Sequence, residues 1–171
     1  GSITIIGGGA IGLEFACFFN SLGLQVAIVE LLPNILAGED DLVARTMKTS
    51  FEKRGIRFYL GKKTASVEIA GGLKTLVLED GSRIAADEVL VGAGRAPDLS
   101  GLGLEKLGLK WAGKGIKVDV RMRTELGNIY AAGDVNGISL LAHSASRQGE
   151  IAAENIMGAT RAFDENIIPR G

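Results

Sequence analysis

Three glycines near the start of the chain have the spacing of a phosphate-binding turn. Gly7, Gly9 and Gly12 form a Gly-x-Gly-x-x-Gly pattern between a β-branched run and a predicted helix. Gly7 would permit a tight turn, Gly9 would let the backbone approach a diphosphate, and Gly12 would let the helix pack closely on a sheet. Free N–H groups of the first helical turn, at Ala10 and Ile11, would bind the phosphates. The alternative is a glycine-rich turn in an α/β fold that binds no nucleotide.

An acidic residue ends the next predicted strand. Glu30 lies eighteen residues after Gly12, where a carboxylate can accept hydrogen bonds from both hydroxyls of an adenosine ribose. A 2′-phosphate would meet a negative charge there, and no Lys or Arg lies between Gln25 and Gly38. The pattern therefore predicts binding of NAD rather than NADP. A solvated Glu at the end of a strand is the alternative.

The composition excludes several other classes of protein. The chain has 19 Lys and Arg against 20 Asp and Glu, so no net field attracts nucleic acid or anionic lipid. Charged residues and glycines interrupt every apolar stretch, which excludes a membrane span. We identify no metal-ligating set. The lone Cys17 excludes an internal disulfide and favours a reducing compartment, the cytoplasm or the mitochondrial matrix.

The hydrophobic pattern of the first half predicts an α/β fold with a Rossmann-like parallel sheet. Buried strands are predicted at 3–6, 25–29, 56–60 and 88–91, and helices at about 10–22 and 39–54. Period-two strands at 63–69, 73–79 and 83–84 predict a β-meander in place of the next crossover helix. We place the end of this first domain, a dinucleotide-binding domain, at residue 93.

Two apolar sets on the predicted helices suggest which sides face the core. In the second helix the inward stripe is predicted to be Val43, Met47 and Phe51. In the first helix the apolar residues that follow a helical period are Ile11, Phe15, Phe18, Phe19 and Leu22.

The second half, residues 94–171, is rich in loops and glycine. Strands are predicted at 116–120 and 129–132, and a helix at 143–157. This segment looks too short and too irregular to build a core alone, so we expect it to be an incomplete part of a larger domain. Both ends of the chain also look cut. Gly1-Ser2 resembles the scar of a cleaved tag, and Ile167 to Gly171 reads as the middle of a connection.

Four motifs, in order, resemble the class I pyridine nucleotide-disulfide oxidoreductase family. The first is Gly7-Gly8-Gly9-Ala10-Ile11-Gly12-Leu13-Glu14 followed by Val29-Glu30, which resembles the NAD domain of that family. The next is Gly94-Arg95-Ala96-Pro97-Asp98, with Asp98 where the family has Asn. Thr124 followed by Ile129-Tyr130-Ala131-Ala132-Gly133-Asp134 resembles its second flavin motif, and Leu141-Ala142-His143 resembles the lipoamide dehydrogenase branch.

The resemblance implies roles for individual residues. Glu14 would reach the nicotinamide end of the cofactor, although a surface acid favoured by the helix dipole is the simpler interpretation. Gly94 would lie near the bound dinucleotide. Asp134 would accept a hydrogen bond from the ribityl chain of FAD, and the backbone around Ala142 would face the isoalloxazine ring. His143 is not offered as a base, because the catalytic His of the family lies in a further domain.

The resemblance also implies what this chain would not do alone. Disulfide exchange needs two thiols, and the chain has only Cys17, so we identify no catalytic residue in it. Only one Gly-x-Gly-x-x-Gly is present, so the sequence lacks the family's first flavin motif, which binds the phosphates of FAD. We therefore expect the chain to bind NAD, to purify colourless without FAD, and to be inactive alone. The intact parent is expected to be a homodimer containing further FAD and interface domains, and a component of a 2-oxoacid dehydrogenase complex.

Two alternatives remain at this stage. The first is a parent on the same fold with another substrate, such as a mercuric reductase, an NADH oxidase or a coenzyme A-disulfide reductase. The second is a stand-alone NAD-binding module without chemistry. The flavin-type motif at Asp134 argues against the second, since such a module has no use for it.

Overall fold

Four parallel strands form the sheet on which the first half of the chain is built. The computed structural model describes residues 1–109, 111–113 and 115–169. Arg170 and Gly171, at the predicted cut end of the chain, lie outside the described residues. The sheet has the order β3-β2-β1-β7. Its strands are β1 (Ser2–Ile6), β2 (Gln25–Glu30), β3 (Arg57–Leu60) and β7 (Glu88–Val91). The helices that connect the first three are α1 (Ala10–Ser21) and α2 (Asp41–Lys53).

An antiparallel sheet stands where a third crossover helix would otherwise lie. Its strands are β4 (Thr64–Ala70), β5 (Leu73–Leu78) and β6 (Arg83–Ala86), in that order. The predicted α/β fold with a β-meander between parallel strands is thus confirmed. The chain divides into two compact units, Gly1–Gly94 and Arg95–Gly171, one residue from the boundary expected at 93.

The parallel sheet is covered differently on its two faces. One apolar cluster joins the strands to the helices and contains Ile3, Ile5, Leu13, Ala16, Val26, Ile28, Ile35, Ala44, Phe51 and Ile56. A smaller cluster joins Val29 to Leu76, Leu78 and Ile84 of the meander. Side chains of successive strand residues point to opposite faces, so Ile28 and Val29 serve one cluster each. The meander therefore covers this face of the parallel sheet, as a helix does in an ordinary crossover.

Of the five apolar residues that follow a helical period in α1, only Phe19 packs partly buried against the core. Ile11, Phe15, Phe18 and Leu22 are exposed, and the buried residues of the helix are the small ones together with Leu13. The reason is that α1 approaches the sheet through Gly12 and Ala16, which leaves no room there for large side chains. Val43 of α2 is likewise exposed, Met47 is half-buried, and only Phe51 of that predicted stripe is buried.

The turn between β5 and β6 follows the Asp-Gly prediction. Gly81 has a φ of +82°, and Asp80 Oδ1 accepts a hydrogen bond from the Ser82 N–H at 3.0 Å. Asp80 Oδ2 also lies 2.5 Å from the ammonium of Lys62. The hydrogen bond from Lys62, followed by those from Ser82, holds the pKa of Asp80 well below its usual range. This turn is therefore tied to the residues that follow β3.

The second unit contains helices and very short strands. They are α3 (Leu104–Leu107), β8 (Trp111–Ala112), β9 (Gly115–Ile116), α4 (Ala142–Ile156) and single 3₁₀ turns at Asp134–Asn136 and Glu165–Ile167. The expectation that it builds no core is wrong, since two apolar clusters are buried. One contains Leu104, Leu109, Ile116 and Ala131, and the other Met122, Ile151, Ala152 and Phe163.

The two strands predicted in this unit are largely absent. Among the described residues, only Gly115–Ile116 pairs as a strand near the first, and only an isolated bridge between Arg123 and Tyr130 forms at the second. Asp119 explains the difference, because its Oδ1 accepts from the N–H groups of Arg121 at 2.8 Å and Arg123 at 3.0 Å. A side chain that bonds the local backbone competes with a strand ladder.

The start of α2 yields a test of the fold. Asp40 Oδ1 accepts from the N–H of Leu42 at 2.8 Å and of Val43 at 3.3 Å. We expect Asp40→Ala to remove this cap at a cost of about 1 kcal/mol, a fall in Tm of ~2–4 °C. Hydrogen exchange at the two amides should accelerate at the same time. Glu39→Ala is the control, and an equal loss in the control would contradict the capping role.

Candidate functional site

The glycine turn lies at the carboxyl edge of the parallel sheet. Gly7 continues β1, donating its N–H to the Val29 carbonyl at 2.8 Å, and has a φ of +114°. A Cβ on Gly7 would lie 2.3 Å from the carbonyl oxygen of Gly92, which follows β7. A Cβ on Gly12 would lie 2.1 Å from the carbonyl oxygen of Gly7. Because both overlaps are with backbone, only glycine lets α1 begin against the ends of these strands.

Gly9 differs from its two neighbours in the motif. It is exposed and its φ of −77° suits any residue. Apart from its chain neighbours, no atom of the described residues lies within 4 Å of where its Cβ would be. Nothing in the fold therefore requires glycine at this position. Gly9 is also the N-cap of α1 and offers no side chain to the helix. The N–H groups of the first turn, at Ala10, Ile11 and Gly12, have no acceptor within a helix, so they are free to receive an anion.

Glu30 is fixed in front of this turn by two backbone hydrogen bonds. Its Oε2 accepts from the Gly8 N–H at 2.6 Å, and its Oε1 accepts from the Leu32 N–H at 2.8 Å. The Gly8 bond spans 22 residues and joins the glycine turn to the end of β2. An ionised carboxylate has about four acceptor positions, so two bonds leave capacity for two more. The carboxylate is half-buried and already oriented, and it can accept from a pair of hydroxyls.

Two other residues of the first unit, Glu14 and Gly94, were predicted to contact the cofactor. Glu14 is exposed and begins the second turn of α1. Glu14 is the fifth residue of this helix, and the effect of the helix dipole fades after the first turn. The helix-dipole interpretation is therefore weakened. Gly94 has a φ of +112° and follows β7 by three residues, at the same edge of the sheet as Gly7.

Asp134 of the second unit is positioned by buried amides rather than by a strand. Among the described residues, the extended segment before it forms only an isolated bridge, between Arg123 and Tyr130. Gln148 Oε1 accepts from the Gly133 N–H at 2.8 Å and from the Asn136 Nδ2 at 2.7 Å. Asn136 Nδ2 also donates to the Ala131 carbonyl at 3.1 Å. The turn that carries Asp134 is thus bonded directly to α4.

The sequence reasoning missed this amide network. Gln148 and Ser144 are fully buried on α4, and Gln148 Nε2 donates to the Ser144 hydroxyl at 3.3 Å. Both lie on the helical face that also carries Ile151 and Ala152. Polar residues within an apolar stripe are a signal of buried hydrogen bonding, and that signal could have identified them. The carboxylate of Asp134 itself forms an ion pair with Arg95, at 3.3 Å.

Ala142 is the first residue of α4, and no side chain caps it. The N-cap, Leu141, is apolar, and Ala142 and His143 are exposed. The first N–H groups of this helix are therefore also without a side-chain acceptor. His143 Nε2 lies 2.8 Å from the carbonyl oxygen of Pro169.

Within the described ranges no three His, Cys, Asp or Glu side chains come together as a metal site. No helix in those ranges has the length and apolar character needed to cross a membrane.

Residues 1–149 match the protein family described as pyridine nucleotide-disulphide oxidoreductase. The chain belongs to this family. It is 39% identical to the dihydrolipoyl dehydrogenase of Pseudomonas aeruginosa over 98% of its length. It is 42% identical to that of Mycobacterium bovis over 99%. These two alignments cover 36% and 38% of the relatives, so the chain spans little more than a third of their length. The family resemblance predicted from four motifs is confirmed.

Two solved structures share the fold. LpdA from Mycobacterium tuberculosis superposes with a TM-score of 0.89 at 33% identity, covering 95% of this chain and 36% of that one. The HOCl-induced flavoprotein disulfide reductase RclA from Escherichia coli has a TM-score of 0.87 at 28% identity, covering 95% and 38%. The fold is therefore common to proteins with different names.

The contrast among the motif glycines predicts two different outcomes for the same substitution. Gly12→Ala should lower Tm by ~2–12 °C, because a methyl group pressed against a carbonyl costs about 1–3 kcal/mol. Gly9→Ala should change Tm by less than ~2 °C, yet weaken binding of NADH about tenfold by obstructing the diphosphate. Thermal unfolding and calorimetric titration measure the two effects. Unchanged NADH affinity in Gly9→Ala would exclude a diphosphate beside that residue.

Proposed function

We propose that the chain binds NAD or NADH in its first unit, through the glycine turn and Glu30. The observation that carries this proposal is Gly9, a glycine that the fold does not need, beside a helix start with free N–H groups. The backbone at Gly9, Ala10, Ile11 and Gly12 would bind the diphosphate, and both oxygens of Glu30 would accept from the ribose hydroxyls. Gly94 would lie near the dinucleotide, and Glu14 would reach its nicotinamide end.

Discrimination against NADP would come from charge at Glu30. The carboxylate is held by the Gly8 and Leu32 N–H groups, so it cannot turn away from an approaching 2′-phosphate without losing two hydrogen bonds. Hydrogen bonds to a charged acceptor contribute about 1.5–3 kcal/mol. Their loss, together with repulsion between like charges, supports a preference for NAD of at least ~10-fold.

In the whole protein we propose the activity of a dihydrolipoamide dehydrogenase, which oxidises dihydrolipoamide to lipoamide with NAD as the final acceptor. Identities of 39% and 42% to enzymes of that name over nearly the whole chain support this parent. The nicotinamide would supply the hydride chemistry when bound, while this chain orients it. The parent is proposed to be a cytoplasmic homodimer within a 2-oxoacid dehydrogenase complex.

The second unit would contribute one side of an FAD site. Asp134 would accept a hydrogen bond from the ribityl chain, and the uncapped N-terminus of α4 at Ala142 would face the isoalloxazine ring. Gln148 and Asn136 support this assignment, because their hydrogen bonds hold the Asp134 turn and α4 in one fixed relation. The remaining flavin contacts, and the redox dithiol, would belong to the rest of the parent.

Titration of this chain with NADH and NADPH tests the first part of the proposal. We expect NADH to bind at least ~10-fold more tightly, because only NADPH brings a phosphate to Glu30. Glu30→Gln should weaken NADH and reduce the discrimination, while Glu39→Gln, an acid of the following loop, should do neither. Equal affinity of the wild type for both cofactors would overturn the assignment of Glu30.

The flavin part of the proposal predicts a colourless preparation. The purified chain should show no visible flavin absorption band, because it would hold only the Asp134 and Ala142 side of that site. Absorption spectroscopy before and after incubation with excess FAD and gel filtration measures this. A stoichiometric yellow complex would show instead that these residues suffice for flavin binding.

A further inference from the structure

A lysine lies close to Glu30 in the fold although it is distant in the sequence. Leu60 is the register partner of Glu30 in the parallel sheet, and Lys62 follows it by two residues. The Lys62 N–H donates to the Glu30 carbonyl oxygen at 2.9 Å. The Gly61 N–H donates in turn to the Leu32 carbonyl oxygen at 3.0 Å. A cation is therefore attached to the same stretch of backbone that presents the Glu30 carboxylate.

The ammonium group of Lys62 is directed to the meander instead. It lies 2.5 Å from Asp80 Oδ2, and Asp80 is itself fixed by the Ser82 N–H at 3.0 Å. The next residue, Lys63, pairs in the same way with Glu79 at 2.6 Å. Among the contacts of the described residues, the Glu30 oxygens accept only from backbone N–H groups. Both lysines that follow β3 are thus paired with acids at the β5–β6 turn.

We propose that Asp80 is a second specificity-determining residue for the dinucleotide, because it holds Lys62 away from the 2′ position of the ribose. The inference rests on the proposed NAD site. Without Asp80, the four-carbon stem of Lys62 would let its ammonium swing toward Glu30. There it would offset the negative charge and attract a 2′-phosphate. The chain would then carry next to Glu30 the kind of cation that the segment between Gln25 and Gly38 lacks.

Asp80→Asn is the variant that tests the proposal. The Asn side-chain oxygen can still accept from the Ser82 N–H, so the turn is retained while the charge that holds Lys62 is lost. We expect NADPH to bind about three- to tenfold more tightly than to the wild type. NADH should change by less than about twofold, because it has no 2′-phosphate. Raising the salt concentration should reduce the gain.

Two further variants separate this effect from a general change of charge. Glu68→Gln removes the same negative charge from the same three-stranded sheet, where Glu68 pairs with Arg83, and it should leave NADPH affinity unchanged. The double variant Asp80→Asn/Lys62→Gln should bring NADPH affinity back to the wild-type value. An equal gain in Glu68→Gln, or a gain that persists in the double variant, would overturn the role of Lys62.

Calorimetry of the wild type distinguishes failure of this inference from failure of the NAD site. Suppose that the wild type prefers NADH but NADPH affinity in Asp80→Asn stays within twofold of wild type or below detection. The role of Asp80 is then refuted, and the proposed function stands. A wild-type chain that binds neither NADH nor NADPH refutes the NAD site and this inference together.

Discussion

At the carboxyl edge of the parallel sheet, three stretches of backbone come closer than any side chain would allow. Gly7 lies between the carbonyl of Gly92 and the first turn of α1, and Gly12 rests on the carbonyl of Gly7. These contacts fix where α1 begins and which way its free N–H groups face. They also fix its roll about its own axis, which is why Gly12 and Ala16 meet the sheet. The rest of the first unit is arranged around this close approach.

Glu30 adds a second constraint to the same edge. Its carboxylate bonds to the backbone on both sides, so the glycine turn and the loop after β2 are held by one side chain. The residue that would recognise a ribose therefore also organises the crevice in which the ribose would lie. The meander contributes through Asp80 and Lys62, which bond to each other beside this loop. The hydrogen bonds that hold this edge together are therefore the ones on which the proposed recognition would depend.

The strands of the first unit could be predicted from the sequence because their apolar residues are continuous or alternate. The orientation of α1 could not, since a search for periodic large residues assigns Phe15 and Phe18 to the core. In the structure the decisive residues are small, and their effect depends on a carbonyl from another part of the chain. The hydrogen bond between Glu30 and the Gly8 N–H could not be predicted for the same reason, because the two residues are distant in the sequence.

The second unit was harder to predict, because local polar groups there override the apolar pattern. Asp119 bonds the backbone of Arg121 and Arg123 and so ends what reads as a strand. The Gly-Asp motif located Asp134 as a candidate, but its surroundings were misjudged. A turn held by side-chain amides has no period, and only the polar Gln148 in an apolar helical stripe indicates it.

The choice of amides for that turn has a further consequence. Neither Gln148 nor Asn136 gains or loses a proton at any pH at which a protein stays folded, and the Ser144 hydroxyl is equally inert. Carboxylates or imidazoles in the same places would make the geometry follow the acidity of the surroundings. With amides, the hydrogen bonds that hold the Asp134 turn do not depend on pH across that range.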